Sequence, residues 1–300
     1  MKLIVIVGPT ASGKSELAVK LAKRLQGEIV SADSRQVYRG LNIGSGKITR
    51  KEMMGILHHL LDVASPERTF TVAQYQKRAA RAILDIQKRG KLPFLVGGSP
   101  FYVYAVVDGI TIPEVKPNPK LRKELEQLSI EELLEKLKRL DPERIKTIEQ
   151  KNKRRLIRAL EIVMATGKPV PQLQKVTSRF DVLMLGIRRP TEELKRRIEK
   201  RLNKRLKQGM VKEVERLHEQ GVSWRRLEEF GLEYRYVAQF LEEKITKQEM
   251  IALIQKESEA FVRRQMLWFK KDPRIHWVEN YNHAENLVSQ FCAAALRDKK

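Results

Sequence analysis

Cysteine is almost missing from this chain of 300 residues: Cys292 is the one thiol, so neither an internal disulfide framework nor a Cys-rich zinc site is available. Cys292 is expected as a small core residue. No unbroken apolar stretch approaches the roughly 20 residues that a membrane-crossing helix needs. The apolar run Leu3 to Val7 is too short for the apolar region of a signal peptide and no cleavage site follows it. Acidic residues are scarce too: 37 Asp and Glu against 60 Lys and Arg leave a formal charge of +23, far more than solubility requires. Such an excess predicts attraction to a polyanion, nucleic acid first. No basic run is joined to a strongly apolar helical face, which argues against an anionic membrane surface. The expectation is a soluble, cytoplasmic, monomeric protein with no membrane partner.

What the chain does have is 42% apolar residues, enough for a substantial core. Leu3 to Val7 reads as a fully buried strand, and Ala18, Leu21, Ala22 and Leu25 behind it mark one helical face. Short apolar runs at Ile29 to Ala32, Phe94 to Val96, Val182 to Leu185 and Ile275 to Val278 alternate with helical segments, the pattern of a parallel sheet covered by helices. Thr71 to Arg89, closed by Gly90, is one such helix. After Asp108 the character changes. Pro113, Pro117 and Pro119 punctuate a linker, and Leu121 to Met164 is charged, helical in pattern and free of strand runs. The reading is α/β: a P-loop core at 1–112 and 178–300, with an all-helical domain inserted at 113–177. A strand at Asp181 to Ile187 resumes the core. One long helix from Thr191 to Gln220 is expected next, then two helices within Gly231 to Lys271, the second with an apolar face at Ile251, Ile254, Phe261, Met266 and Phe269.

Gly8, Pro9, Thr10, Ala11, Ser12, Gly13, Lys14 and Ser15 fit G-x-x-x-x-G-K-[ST] between a strand and a helix, where the motif belongs. The glycines let backbone N–H groups curl around phosphate oxygens, the helix N-terminus adds its positive dipole end, Lys14 adds a charge, and Ser15 can hold Mg²⁺. The motif specifies a polyphosphate and leaves open whether phosphoryl transfer follows. Asp33, Ser34, Arg35 and Gln36 follow the second strand run, which sets them at a carboxyl end of the sheet beside the P-loop. A carboxylate there can hold Mg²⁺ or take a proton from a nucleophile. Val37 to Lys47, with small and basic residues, has the look of a loop that closes on a ligand. His58 and His59 are adjacent, point to different sides and lack partners at ligand spacing, so a structural role is expected.

Gly8 to Ser15, followed by Asp-Ser-Arg-Gln-Val-Tyr-Arg-Gly at Asp33 to Gly40, closely resembles the bacterial tRNA dimethylallyltransferases. Similar islands are His58-His59-Leu60-Leu61-Asp62, Val96-Gly97-Gly98-Ser99 with Tyr102, Arg154 to Glu161 with Gly167, Arg197 to Arg201, and Arg264-Gln265 with Trp268-Phe269. They span nearly the whole chain in order. The resemblance implies transfer of a dimethylallyl group from dimethylallyl diphosphate, with Mg²⁺, to the exocyclic amine of the adenine just 3′ of the anticodon, adenine 37. It also implies a P-loop core and an inserted helical domain that grips the tRNA anticodon stem-loop. Three departures stand out: Gly97-Gly98-Ser99-Pro100-Phe101-Tyr102 where the family usually has Gly-Gly-Thr-Gly-Leu-Tyr, Gly231-Leu232-Glu233-Tyr234-Arg235 for a Gly-Tyr-(Arg or Lys) motif, and Ser258-Glu259 for Thr-Arg.

An aromatic amine is a poor nucleophile, because its lone pair is delocalised into the ring, so a carboxylate that takes its proton as the C–N bond forms helps; Asp33 is the candidate. Charge on the departing diphosphate would be met by Lys14, Ser15-bound Mg²⁺, P-loop amides and an arginine, which the resemblance implies is Arg201. Leu194, Ile198, Leu202 and Leu206 form a stripe beside Arg197, Arg201 and Arg205, of which Arg197 and Arg205 read as solvated. The resemblance assigns Ser99 to the catalytic set, and Asp33, Ser34, Arg35, Gln36 and Ser99 together with Arg122, Arg154, Arg155, Leu156, Ile157 and Arg158 to tRNA. Trp268 and Phe269 read as core. The rivals are an ATP-binding metabolite or nucleoside kinase, a non-catalytic RNA-binding NTPase, and a prenyltransferase acting on free nucleotides. The kinase has no need of +23, the NTPase leaves Asp33 and Arg201 without a shared task, and the basic helical insertion favours a macromolecular acceptor.

Overall fold

The computed structural model describes residues 1–111, 113, 115–171 and 179–297, the last four without their side chains. The chain divides into two compact units, Met1–Gly109 with Thr177–Lys300, and Ile110–Val176. The limits read from the sequence, at 112/113 and 177/178, involve residues 112, 177 and 178, which lie outside the described residues.

The larger unit begins with β1 (Lys2–Val7), α1 (Lys14–Arg24), β2 (Gly27–Ser31), α2 (Arg50–Met53), β3 (His58–His59), α3 (Val72–Lys88), β4 (Leu92–Gly97) and α4 (Pro100–Val107). The smaller unit holds α5 (Pro119–Gln127), α6 (Ile130–Leu140), α7 (Pro142–Thr147) and α8 (Lys153–Thr166). The larger unit then resumes with β5 (Asp181–Ile187), α9 (Thr191–Lys207), α10 (Met210–Glu219), α11 (Trp224–Phe230), α12 (Leu232–Leu241), α13 (Lys247–Phe269), β6 (Ile275–Val278) and α14 (Tyr281–Arg297).

The six strands form one parallel sheet in the order β3-β2-β4-β1-β5-β6. Leu3 to Val7 are all inaccessible to solvent, as an unbroken apolar strand must be when helices cover both sheet faces. Burying each such side chain contributes about 1.5–3 kcal/mol. Val7 is level with Gly97 on one side and Gly186 on the other, so the carboxyl ends of the three central strands lie in one row. At Gly97 a Cβ would come within 2.0 Å of the Ala32 carbonyl oxygen. Only glycine permits this approach, which the Ala32 N–H completes with a 2.7 Å bond to the Val96 carbonyl. The chain leaving β2 and the chain leaving β4 are thereby set side by side.

Three sequence expectations are corrected. The segment Thr191 to Gln220 is two helices, not one: Gly209 adopts φ 94° between α9 and α10, a left-handed turn that ends the first. The helix α11 comes as an addition, and Gly231 separates it from α12. On α13 the buried face is Met250, Ile254, Ser258, Val262, Gln265 and Phe269, so Ile251, Phe261 and Met266 lie off it. Trp268 is 46% exposed, whereas Phe269 is buried as expected.

The smaller unit has its own core of Leu125, Leu133, Leu137, Leu156, Ile157 and Leu160. Its helices begin where the sequence supplies caps: Asn118, Ser129, Asp141 and Asn152 each accept from a backbone N–H of the first turn.

Candidate active site

The turn after β1 has the backbone form that its glycines predict for a phosphate loop. Gly8 and Gly13 take φ of 154° and 96°, and Gly13 caps α1 without a side-chain acceptor, so no side chain occupies the leading N–H groups of that helix. Lys14 Nζ donates to the Pro9 carbonyl at 3.2 Å. Burial, partly offset by Asp33 and reinforced by Arg201, pulls the Lys14 ammonium down to about 8. The N–H of Thr10 donates to Gln265 Oε1 at 2.8 Å, and its Oγ1 accepts from Arg201 Nη2 at 2.6 Å. Burial and the neighbouring Arg205 lower Arg201 to about 10, against the pull of Glu233 and Asp33. Ser12 Oγ is buried without a partner, and Ser15 is exposed on the first turn of α1.

Asp33 follows β2 and folds the chain locally: its Oδ1 accepts from the N–H groups of Arg35 (2.8 Å) and Gln36 (3.3 Å), an Asx turn. Ser34 N–H donates to Ser99 Oγ at 3.0 Å, linking the β2 end to the β4 end. Pro100 is no disturbance there, since it opens α4, where its fixed φ and missing N–H suit the first helical turn. Arg35 donates to Ser34 Oγ, burial lowers its pKa, and its Nε is buried without a partner. Gln36 turns away to the Gly46 carbonyl.

The segment expected to close on a ligand is bonded to α10 and α12. Glu213 of α10 accepts from the N–H groups of Asn42, Ile43 and Gly44 at 3.1, 2.6 and 3.0 Å. Tyr234 of α12 donates to the same carboxylate at 2.8 Å and accepts from Ser45 N–H at 3.1 Å. Lys47 pairs with Asp62.

Thr10, Lys14, Asp33, Ser34, Arg35, Ser99 and Arg201 all line one cavity of about 150 Å³. Its remaining wall comes from Gly44, Ser45, Gly98, Arg205, Gly231 to Tyr234, Ser258, Phe261 and Gln265. Of the predicted core residues, Gly8, Pro9, Ala11, Ser12, Gly13, Ser15 and Gln36 are not in that lining. A larger cavity of about 860 Å³ touches Pro9 from between α9, α13 and β6, and none of Lys14, Asp33, Ser99 or Arg201 lines it.

Sequence reasoning missed much of this wall. Arg205, read as solvated, is 6% exposed and donates to Glu233 (2.7 Å) and the Gly44 carbonyl (3.0 Å). Ser258 and Gln265 are 3% exposed. The available signal was a polar residue standing on an apolar stripe: both lie on the Ile254, Val262, Phe269 face of α13. Arg197 does stay half exposed, paired with Glu193.

The predicted tRNA residues of the smaller unit fall into two groups. Leu156 and Ile157 are buried in its core, where their side chains hold α8 in place. Arg122 forks onto the fully buried Glu161 at 2.9 and 2.8 Å, and Arg158 pairs with Glu161 and donates to the Val115 carbonyl. Glu161 is held below its ordinary pKa, burial opposing and the bonds from Arg122, Asn118 and Arg158 prevailing. Arg154 and Arg155 are exposed at the start of α8, Arg155 pairing with Glu149 at 3.2 Å. Elsewhere, His59 bonds to the buried Glu28 and His58 to the Ile56 carbonyl, structural duties for both.

Comparison with known proteins matches this geometry to one family. A model of the family described as IPP transferase matches residues 36–272. The tRNA dimethylallyltransferase 2 of Citrifermentans bemidjiense is 44% identical over 281 residues, covering 92% of this chain and 90% of that protein. The crystal structure of the full-length tRNA isopentenylpyrophosphate transferase from Bacillus halodurans has a TM-score of 0.73 at 34% identity, covering 99% and 97% of the two chains. A eukaryotic dimethylallyltransferase acting on tRNA superposes with a TM-score of 0.75 at 25% identity, covering 99% of this chain and 79% of that one. With a matched family spanning most of its length and relatives of this identity, the chain belongs to the IPP transferase family, the tRNA-modifying prenyltransferases.

Proposed function

We propose that this enzyme transfers a dimethylallyl group from dimethylallyl diphosphate to the exocyclic amine of adenine 37 of tRNA, giving N6-isopentenyladenosine and diphosphate. The observation that carries the reading is the convergence of Lys14, Asp33, Ser99 and Arg201 on one cavity. A carboxylate shares that cavity with cationic side chains, Lys14 and Arg201 among them, as a reaction that deprotonates an amine and expels an anion requires.

The chain's residues divide the work. The P-loop amides and Lys14 take the diphosphate, and Arg201, positioned on Thr10, faces the charge that builds as the allylic C–O bond breaks. The C–N bond forms from the amine nitrogen to the allylic carbon. The proton leaves that nitrogen for the Asp33 carboxylate, whose Oδ1 is steadied by two backbone N–H groups while its other oxygen has no partner of that kind. Ser99 anchors the Ser34 N–H next to the base, and exposed arginines such as Arg154 and Arg155 on α8 meet the phosphates of the anticodon stem-loop.

Magnesium fits this donor set as a companion of the diphosphate. Among the described residues no group of three or more His, Cys, Asp or Glu could hold a metal. The hard oxygens of Ser15 and Asp33 suit an ion that keeps most of its ligands as water and phosphate. Bound so, Mg²⁺ would neutralise diphosphate charge.

The test is consumption of dimethylallyl diphosphate or of ATP, with and without tRNA, followed by mass analysis of the RNA. Diphosphate release that requires tRNA and yields prenylated adenine supports the reading. Consumption of ATP without prenylation overturns it, in favour of a kinase if the phosphoryl group passes to an acceptor and of an NTPase if free phosphate is released.

A further inference from the structure

The amide of Gln265 sits between two walls of the cavity and bonds to both. It is 3% exposed on α13. Its Oε1 accepts from Thr10 N–H at 2.8 Å, and its Nε2 donates to the Gly98 carbonyl at 2.5 Å. Each partner continues into the reacting groups. Thr10 Oγ1 accepts from Arg201, while Gly98 precedes Ser99, whose Oγ accepts from Ser34 N–H beside Asp33. Among side chains that are ordinarily neutral at pH 7, an amide of this length offers one donor and one acceptor side by side. A Cβ at Gly98 would lie 2.5 Å from Gln265 Nε2 and 3.3 Å from Lys14 Nζ, so the bridge and the phosphate-binding lysine share one crowded corner.

We propose that Gln265 is a positioning residue which fixes the separation between the phosphate loop and the Ser99–Asp33 side of the cavity, and so the distance between donor carbon and acceptor amine. The proposal rests on the prenyl-transfer reading above. Its role is geometric: Gln265 holds Thr10 and Gly98, and these hold Arg201 and Ser99. A misplacement of about 1 Å in reacting groups can cost on the order of 10²-fold in rate.

Two variants test it, each beside the wild type in single-turnover prenylation with dimethylallyl diphosphate and tRNA saturating. Gln265→Met keeps the length and removes both bonds. Its rate should fall ~10- to 100-fold, while binding of inorganic diphosphate by calorimetry and of labelled tRNA by anisotropy changes less than about threefold. Gln265→Glu supplies the second readout and guards against poor folding of the first. As a carboxylate it cannot donate to Gly98, and as a neutral acid it can. Its rate relative to wild type should therefore rise as pH falls, which loss of packing alone would not produce. A Gln265→Met rate within threefold of wild type, or a flat pH ratio for Gln265→Glu, overturns the proposal. Loss of diphosphate binding in proportion to rate overturns it as well, by making Gln265 a binding residue. A wild type that transfers nothing sinks the function reading instead, so the two failures are told apart.

Discussion

Lys14 Nζ rests 3.2 Å from the carbonyl of Pro9, a member of its own loop. A cation that donates to a carbonyl, enclosed and lowered by burial to about 8 despite the pull of Asp33, is destabilising until an anion arrives. Below pH 8 Lys14 is protonated folded and unfolded, and its desolvation cost is fully present. Between 8 and the unfolded value of 10.5 that cost shrinks, and above 10.5 it is gone. Lys14→Met should therefore stabilise the free protein by about 1–3 kcal/mol at pH 7 and by less at pH 9.5, while diphosphate binding is lost and tRNA affinity is kept. Thermal melts at the two pH values, with calorimetry and anisotropy, check all three. A variant that melts lower than wild type at pH 7 contradicts the argument.

Glu213 and Tyr234 act on the loop 42–45 as a unit. Three backbone N–H groups converge on one carboxylate that also takes the Tyr234 hydroxyl, whose pKa burial and Glu213 raise well above the ordinary value, so it stays a donor through the working pH range. Glu213→Ala should cost about 2 kcal/mol or more, and Tyr234→Phe about 1 kcal/mol. The double variant should cost less than the sum, because both remove one network. Amide exchange at Asn42, Ile43 and Gly44 should speed up in Glu213→Ala, and unchanged protection there would refute the clamp.

How much of this was legible differs by the kind of signal. Strand, loop and α1 could be read from Leu3 to Leu25 because burial on both faces leaves an unbroken apolar run and a P-loop leaves its glycines. Asp33 could be placed because it directly follows a strand run, whereas Ser99 was reached through the family resemblance. The break at Gly209 was hidden, since the apolar residues recur every fourth position from Leu194 through Leu206 to Met210 and Val214. The buried pair of Arg205 and Glu233 was hidden for another reason: a buried charge pair and a solvated one share the same residue types. Only the fold decides which side faces the cavity.

Arg154 and Arg158, one helical turn apart, should behave differently on substitution. Arg154 is exposed, so Arg154→Glu should weaken tRNA binding and lower the slope of log affinity against log salt by about 0.7–0.9 for each phosphate that the side chain no longer neutralises, with the melting temperature unchanged. Arg158 pairs with the buried Glu161, so Arg158→Ala should cost stability, about 1–3 kcal/mol, since Arg122 still holds part of that carboxylate. Melting curves and salt titrations of tRNA binding separate the two effects. Equal loss of stability in both variants would erase the distinction.

Asp33 has two claims on its carboxylate, the turn and the proton. Asp33→Asn keeps an Oδ1 that can accept from Arg35 and Gln36 N–H, so the turn and the adjoining Ser34–Ser99 bond should survive. An amide oxygen cannot take the proton of the adenine amine, so single-turnover prenylation should slow by roughly 10² to 10⁴ with both substrates still bound. If Asp33 chiefly held Mg²⁺, the variant would bind diphosphate less tightly in the presence of metal, and raising Mg²⁺ would restore part of the rate. Repeating the measurement across Mg²⁺ concentrations separates base from metal ligand. A slow rate indifferent to Mg²⁺ assigns the proton to Asp33, and a rescued one assigns Asp33 to the metal.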